Sequence, residues 1–138
     1  MLRLQDLALG MRIPTRTFTP TNVSLFLYNA AIWNPHRIHY DAPYATGVEQ
    51  HPGIVIDGPL QGDWLTQIVL EWLGEDGALV EFEYSNRLAC YLGATLTAGG
   101  VISAIDPAQR SVTLDVSVTD DKGVVTSPGR AVVKLSGS

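Results

Sequence analysis

The stretch from Pro59 to Leu73 limits the possible folds of this chain more than any other. Leu60, Trp64, Ile68 and Trp72 fall on one helical stripe, and Leu65, Val69 and Leu73 on a second. A helix that is apolar around most of its circumference has to be enclosed rather than laid on a surface. The segments C-terminal to it are suited to enclose it. Val80, Phe82 and Tyr84 alternate with Glu81 and Glu83. Val112, Leu114, Val116 and Val118 alternate with Thr113, Asp115, Ser117 and Thr119. Period-two alternation builds strands with one buried and one wet face, the mark of antiparallel sheet. Asp120-Asp121-Lys122-Gly123 reads as a hairpin turn, with Val124 to Leu135 returning as a strand. The expected architecture is α+β, one long buried helix wrapped by a curled antiparallel sheet.

Upstream, Met11 to Phe18 is expected as a short strand. Thr19 and Pro20 read as a helix N-cap and first helical position, where a missing N–H costs nothing. Val23, Phe26, Leu27 and Ala30 then share one helical face. That helix is expected to stop near Trp33, because Pro35 disfavours helical geometry at Asn34. From Asn34 to Gly58 the chain reads as loop, with one helical turn at Ala42 to Ala45. This loop carries all three histidines.

Composition narrows the class. The length of 138 residues fits one domain spanning 1–138, and 46% hydrophobic with 17% charged residues describes a globular chain. The net charge is −5, without the basic stripe that phosphate neutralisation requires, so no nucleic-acid partner is expected. No apolar run approaches the ~18 residues of a spanning helix, and the first residues do not read as a signal peptide. A single cysteine, Cys90, excludes an internal disulfide and suits a reducing, cytoplasmic setting. It reads as a buried, inert thiol. There is no G-x-S-x-G elbow, P-loop, G-x-G-x-x-G or C-x-x-C.

Chemistry concentrates in Trp33-Asn34-Pro35-His36-Arg37-Ile38-His39-Tyr40-Asp41. Loops braced by rigid elements hold functional groups, and histidine exchanges protons near neutral pH. A lone histidine is more often a structural hydrogen-bonder, and His51 is read that way. His36, His39 and Asp41 could be metal ligands by type. Pro35 argues against a helix presenting them together, and no further cluster completes a set, so no metal is expected.

At this string the sequence resembles the MaoC-like family of (R)-specific enoyl-CoA hydratases and 3-hydroxyacyl thioester dehydratases, which have a hotdog fold. The family pattern Asp-x-Asn-Pro-Leu/Ile-His, then five residues, then Ala or Ser, ends here on His39, with Ala45 at the last position. Gly53 to Leu60 resembles the family's Gly-x-x-Ile/Val-x-His-Gly-x-Leu segment before the central helix. Arg87 to Gly93 and Gly129 to Leu135 resemble a family turn and the closing strand. Asn34 stands at the family's Asp, His36 at its Asn, and Asp57 at the usual His. The wording is closer to a subgroup of fungal-type mitochondrial dehydratases and mesaconyl-CoA hydratase-like proteins.

The resemblance implies hydration of trans-2-enoyl thioesters or dehydration of 3-hydroxyacyl thioesters. His39 would be the principal acid/base, Asn34 would orient water, and the Gly58 N–H at the helix start would meet the developing enolate. His36, Arg37, Asp41, Asp57, Thr66 and Arg87 are expected around the substrate, with Arg37 and Arg87 as phosphate contacts. Trp64 and Ile68 would border the acyl chain or belong to the core. Coenzyme A arrives as part of an acyl-CoA or acyl-carrier substrate, and no other cofactor is expected. One hotdog leaves sheet edges open, so a homodimer or higher assembly is expected, or pairing with a second MaoC-like chain. Two other readings stand beside the enzyme. One is a non-catalytic subunit of a hetero-oligomeric dehydratase. The other is an acyl-CoA thioesterase using Asp63 or Glu71 on the central helix.

Overall fold

The computed structural model describes residues 1–137. Its centre is α3 (Gly58–Leu73), which buries Gln61, Gly62, Trp64, Leu65, Ile68, Val69 and Leu73. Five antiparallel strands curl around it, β1 (Arg12–Phe18), β2 (Gly77–Tyr84), β3 (Leu96–Asp106), β4 (Ser111–Thr119) and β5 (Val125–Leu135), in the order β1-β3-β4-β5-β2. This is the hotdog arrangement. The alternating residues Val112, Leu114, Val116 and Val118 are at most 2% exposed and pack against Leu65, Ile68 and Val69 in one core. Burying a side chain of this size stabilises by about 1.5–3 kcal/mol. The β4–β5 turn forms as expected. Asp120 Oδ1 accepts from the N–H of Lys122 (2.9 Å) and of Val124 (2.9 Å), and Gly123 takes the left-handed φ of 77° that the turn requires.

Three expectations need correction. The cap of α1 (Asn22–Ala31) is Thr21, not Thr19. The Thr21 hydroxyl accepts from Ser24 N–H and Ser24 Oγ from Thr21 N–H, a reciprocal box that Thr19-Pro20 cannot make. The Thr19 hydroxyl instead meets that of Thr95 at 2.9 Å. Second, the helix ends at Ala31, before Trp33. Trp33 adopts φ 57°, with its N–H donating to Ala30 O (3.3 Å) and the Asn34 N–H to Asn29 O (2.9 Å). These two bonds are a Schellman closure, here without glycine. Third, Val80 does not alternate inward. The β2–β5 register slips between Leu79 and Glu81, Val80 sits in the bulge and is exposed, and Leu79 joins the core side.

The face of α1 carrying Val23, Phe26 and Leu27 is exposed, while Leu25 and Asn29 are the residues it buries. A stripe assigned by hydropathy is therefore not the one turned to this chain's core.

Candidate functional site

The loop between α1 and α3 folds into a 3₁₀ turn (Arg37–His39) and α2 (Ala42–Gly47). The Asp41 carboxylate caps α2 by accepting from Tyr44 N–H at 3.1 Å and is gripped by Arg37 at 2.8 and 3.0 Å. These bonds hold the Asp41 carboxyl below its usual range, with the Arg37 bond the larger cause. The Arg37 guanidinium also lies 4.3 Å over the Tyr44 ring. Arg37 and Asp41 thus brace the loop, with the Arg37 side chain exposed. His36 caps the turn, its Nδ1 accepting from Ile38 N–H at 3.3 Å. His51 is half-buried, its ring centroid 6.0 Å from that of Tyr91.

The segment before α3 is clamped on both sides. Val55 N–H donates to Ile38 O (2.9 Å), Ile56 N–H to Cys90 O (2.8 Å) and Leu92 N–H to Ile54 O (2.8 Å). This clamp brings His39 to the head of the buried helix. Its Nδ1 lies 2.7 Å from Val55 O and its Nε2 3.5 Å from Asp57 Oδ2. His39 is 8% exposed and Asp57 not at all. Asp57 also accepts at Oδ1 from Asn29 Nδ2 (3.0 Å), which donates to Leu25 O as well (2.8 Å). Burial pushes the Asp57 carboxyl above the ordinary carboxylate range, against the opposing pull of Asn29 and His39. Among the described residues, Asp57 Oδ2 and Asn29 Oδ1 have no hydrogen-bond partner.

Gly58, the first residue of α3, lacks an intrahelical acceptor for its N–H. A Cβ there would meet the Asn86 side-chain amide, which would have to move aside. The Ser127 hydroxyl lies 2.9 Å from both Asn86 Oδ1 and Gln61 Oε1, tying the helix head to β5. Asn34 is half-buried, and its Oδ1 accepts from His36 N–H at 3.0 Å. It lines an apolar groove of about 340 Å³ with Phe26, Trp33 and Tyr40.

Other expected residues lie apart. Thr66 is nine residues beyond Asp57 in the sequence, roughly 13 Å along the helix axis, and its hydroxyl donates to Asp63 O at 2.9 Å. Arg87 is exposed and lines a second groove, about 370 Å³, together with Ser85, Gly129 and Arg130. Trp64 stacks on Phe18 with centroids 4.4 Å apart, and Ile68 is buried, so both are core. Asp63 accepts from the Tyr28 phenol at 3.1 Å, and Glu71 pairs with Arg16 at 3.3 Å. Cys90 is buried, and that burial pushes its thiol up. Among the described residues no helix is long and apolar enough to cross a membrane, and no group of three His, Cys, Asp or Glu could hold a metal.

Asn29, Gln61 and Asn86 do not stand out in the sequence as site residues. The available signal is a polar residue in an otherwise apolar stretch, as at Asn29 in α1 and Gln61 in α3.

The profile of hydroxyacyl-thioester dehydratase type 2, Htd2, matches residues 11–92, more than half of the chain. The chain belongs to this family. Relatives of the Htd2 chain include mesaconyl-C(4)-CoA hydratase of Chloroflexus aurantiacus, 52% identical over 46 residues, covering 33% of this chain and 16% of that protein. The mitochondrial hydroxyacyl-thioester dehydratase type 2 of Schizosaccharomyces pombe is 38% identical over 66 residues, 43% of this chain and 22% of that one. The matched stretches therefore span less than a quarter of these two relatives. Among solved structures, the (R)-hydratase of A. caviae superposes with a TM-score of 0.86 at 20% identity, covering 95% of this chain and 98% of that one. The R-hydratase PhaJ1 of Pseudomonas aeruginosa superposes at 0.88 and 18% identity, covering 98% and 86%. The ChsH1–ChsH2 complex of Mycobacterium tuberculosis gives 0.81 at 13% identity, covering 93% and 98%. At these identities the structural likeness is one of fold. It establishes the hotdog fold for this chain.

Proposed function

We propose that this chain is a hydro-lyase that adds water across trans-2-enoyl thioesters, or removes it from 3-hydroxyacyl thioesters, with His39 as the acid/base. One observation carries the reading. A nearly buried imidazole is held at the N-terminus of the enclosed helix, with one ring nitrogen tied to a carbonyl and the other facing the helix head. Helix N-termini stabilise developing negative charge, so the Gly58 N–H suits a thioester oxygen on its way to an enolate. Asn34 orients the attacking water by hydrogen bonding; an amide cannot take a proton in this range. The apolar groove beside Asn34 fits the start of an acyl chain, and Arg87 with Arg130 fits the phosphates of coenzyme A or a carrier arm. The reaction needs no cofactor beyond the one the substrate carries, and a reducing compartment such as the cytoplasm suits the single thiol.

The test is a panel of enoyl-CoAs, short to long and one bulky and steroid-like, assayed with the purified chain by loss of enoyl-thioester absorbance. His39→Ala should lose nearly all turnover while remaining folded. Full activity in that variant would remove His39 from the assignment.

A second reading has its own support. Asn34 replaces the carboxylate that the resemblance places there, and its Oδ1 is already engaged by His36 N–H. A chain of this kind would brace an unlike MaoC-like partner that catalyses. Activity of the chain alone refutes it. Thioester hydrolysis has less support, since Asp63 and Glu71 are exposed and already engaged by neighbours. Release of free coenzyme A from saturated acyl-CoAs, read with a thiol reagent, would revive it.

A further inference from the structure

We propose that Asp57 supplies, from the head of α3, the carboxylate partner of His39 that position 34 lacks, and that the pair carries a single proton, on Nε2 or on Oδ2. The argument rests on donors and acceptors. Val55 O can only accept, so the 2.7 Å contact puts a proton on His39 Nδ1. A neutral ring then leaves Nε2 a bare lone pair. Nε2 lies 3.5 Å from Asp57 Oδ2, which in the ionised state also only accepts; Asp57 is fully buried and His39 8% exposed. Two acceptors facing each other with one of them fully buried repel unless the pair carries a proton. Nothing else offers Oδ2 a donor among the described residues, while Oδ1 is satisfied by Asn29. The pair therefore carries one proton, either as imidazolium and carboxylate or as imidazole and carboxylic acid. The other ionisable groups close by are His36, its ring centroid 5.9 Å from that of His39, and the Tyr28 phenol on α1. Burial first, then Asp63, and more weakly Asp57, push that phenol above its usual range, so it stays neutral.

Asp57 acts through His39 and is a positioning residue. Its use in turnover rests on the hydro-lyase reading. In hydration the water oxygen bonds to the β-carbon as the π pair moves to the α-carbon. One water proton passes to the pair and one proton passes from the pair to the α-carbon, so the pair ends with the single proton it began with.

The test uses the full chain with ¹⁵N-labelled histidine and the variant Asp57→Asn. The new amide matches the carboxylate in shape, can still accept from Asn29, and can donate to Nε2, so folding should persist; Asp57→Glu provides a second variant that keeps the charge. In the wild-type chain the spectrum should show Nδ1 protonated throughout, and an Nε2 signal of a shared proton at neutral pH. Asp57→Asn should convert Nε2 to a bare acceptor. Asp57→Asn should also lower kcat by about 10²-fold or more, with KM within threefold, and move the pH profile of kcat; Asp57→Glu should recover part of both. Identical Nε2 signals in wild type and Asp57→Asn overturn the proposal. An inactive wild-type chain that shows the shared proton removes the hydro-lyase reading and supports the pair. An active chain with unchanged Nε2 keeps the hydro-lyase and removes the pair.

Discussion

His39 Nδ1 lies 2.7 Å from the carbonyl oxygen of Val55, and the N–H of Val55 donates back to Ile38 O at 2.9 Å. This reciprocal pair of bonds fixes both the position and the tautomer of the imidazole. The carbonyl belongs to the backbone, so the ring orientation does not depend on any side chain that could be exchanged. His39→Gln keeps a donor toward that carbonyl but lacks a group that titrates near neutrality. It should keep a melting temperature within a few degrees of wild type and lose hydration by about 10²–10⁴-fold, measured by enoyl-thioester absorbance with thermal melts alongside.

Gly58→Ala should be destabilising by displacing the Asn86 side chain from Ser127. The added Cβ collides with the Asn86 amide, whose partner Ser127 also meets Gln61. A cost of about 1 kcal/mol is expected for that lost hydrogen bond. Combining it with Asn86→Ala should return part of that loss. Urea denaturation of the two single variants and the double variant reads the coupling; purely additive effects would show that the collision is not the cause.

Asp57 should make stability fall as pH rises. Burial lifts its carboxyl above the ordinary carboxylate value in the folded chain. Between the unfolded value and that lifted one, the folded state holds more protons than the unfolded state, so raising pH through this window lowers stability. The contribution cannot exceed about 1.4 kcal/mol per pH unit. Asp41, held low by Arg37, acts oppositely at more acid pH. The readout is therefore the difference between wild type and Asp57→Asn in urea midpoints from pH 4 upward. The variant should lose stability less steeply.

Asn34→Asp restores a carboxylate where the resemblance places one. An Asp Oδ1 can accept from His36 N–H just as the Asn34 Oδ1 does, so the loop should hold. If the chain catalyses alone, turnover should rise by about tenfold or more, because the water gains a base rather than a dipole. No change would favour the bracing-subunit reading.

The α1 face predicts assembly. Val23 is 64% exposed, Leu27 62% and Trp33 92%, a run of large apolar side chains turned away from this chain's own core. β1 and β2 are sheet edges as well. Analytical sedimentation of the purified chain at micromolar concentration should show a dimer or larger. A monomer would mean that a different chain covers these surfaces.

Much of the fold is encoded locally. The two stripes of α3, the alternation of β4, the turn at Asp120 to Gly123 and the Ile38-His39 motif depend on spacings of a few residues, which periodicity reports directly. Local hydropathy could also place a helix at α1. It could not say which side faces inward, because Leu25 and Asn29 are buried only once the helix lies against the head of α3. The slip at Val80 is equally invisible, since a bulge is a relation between two strands and not a property of one.

The proton-holding group is the sharpest case. His39 and Asp57 stand eighteen residues apart, and Asn29 lies 28 from Asp57. The motif names His39 and Asp57 as site residues, and nothing in their spacing says that they meet. Residue types set what chemistry is available: an imidazole, a carboxylate and an amide. Chain closure through the Val55 clamp decided that they meet, and packing around the helix head decided that Asp57 is fully buried there. That burial favours one proton on the pair, because two poorly screened acceptors facing each other repel without one.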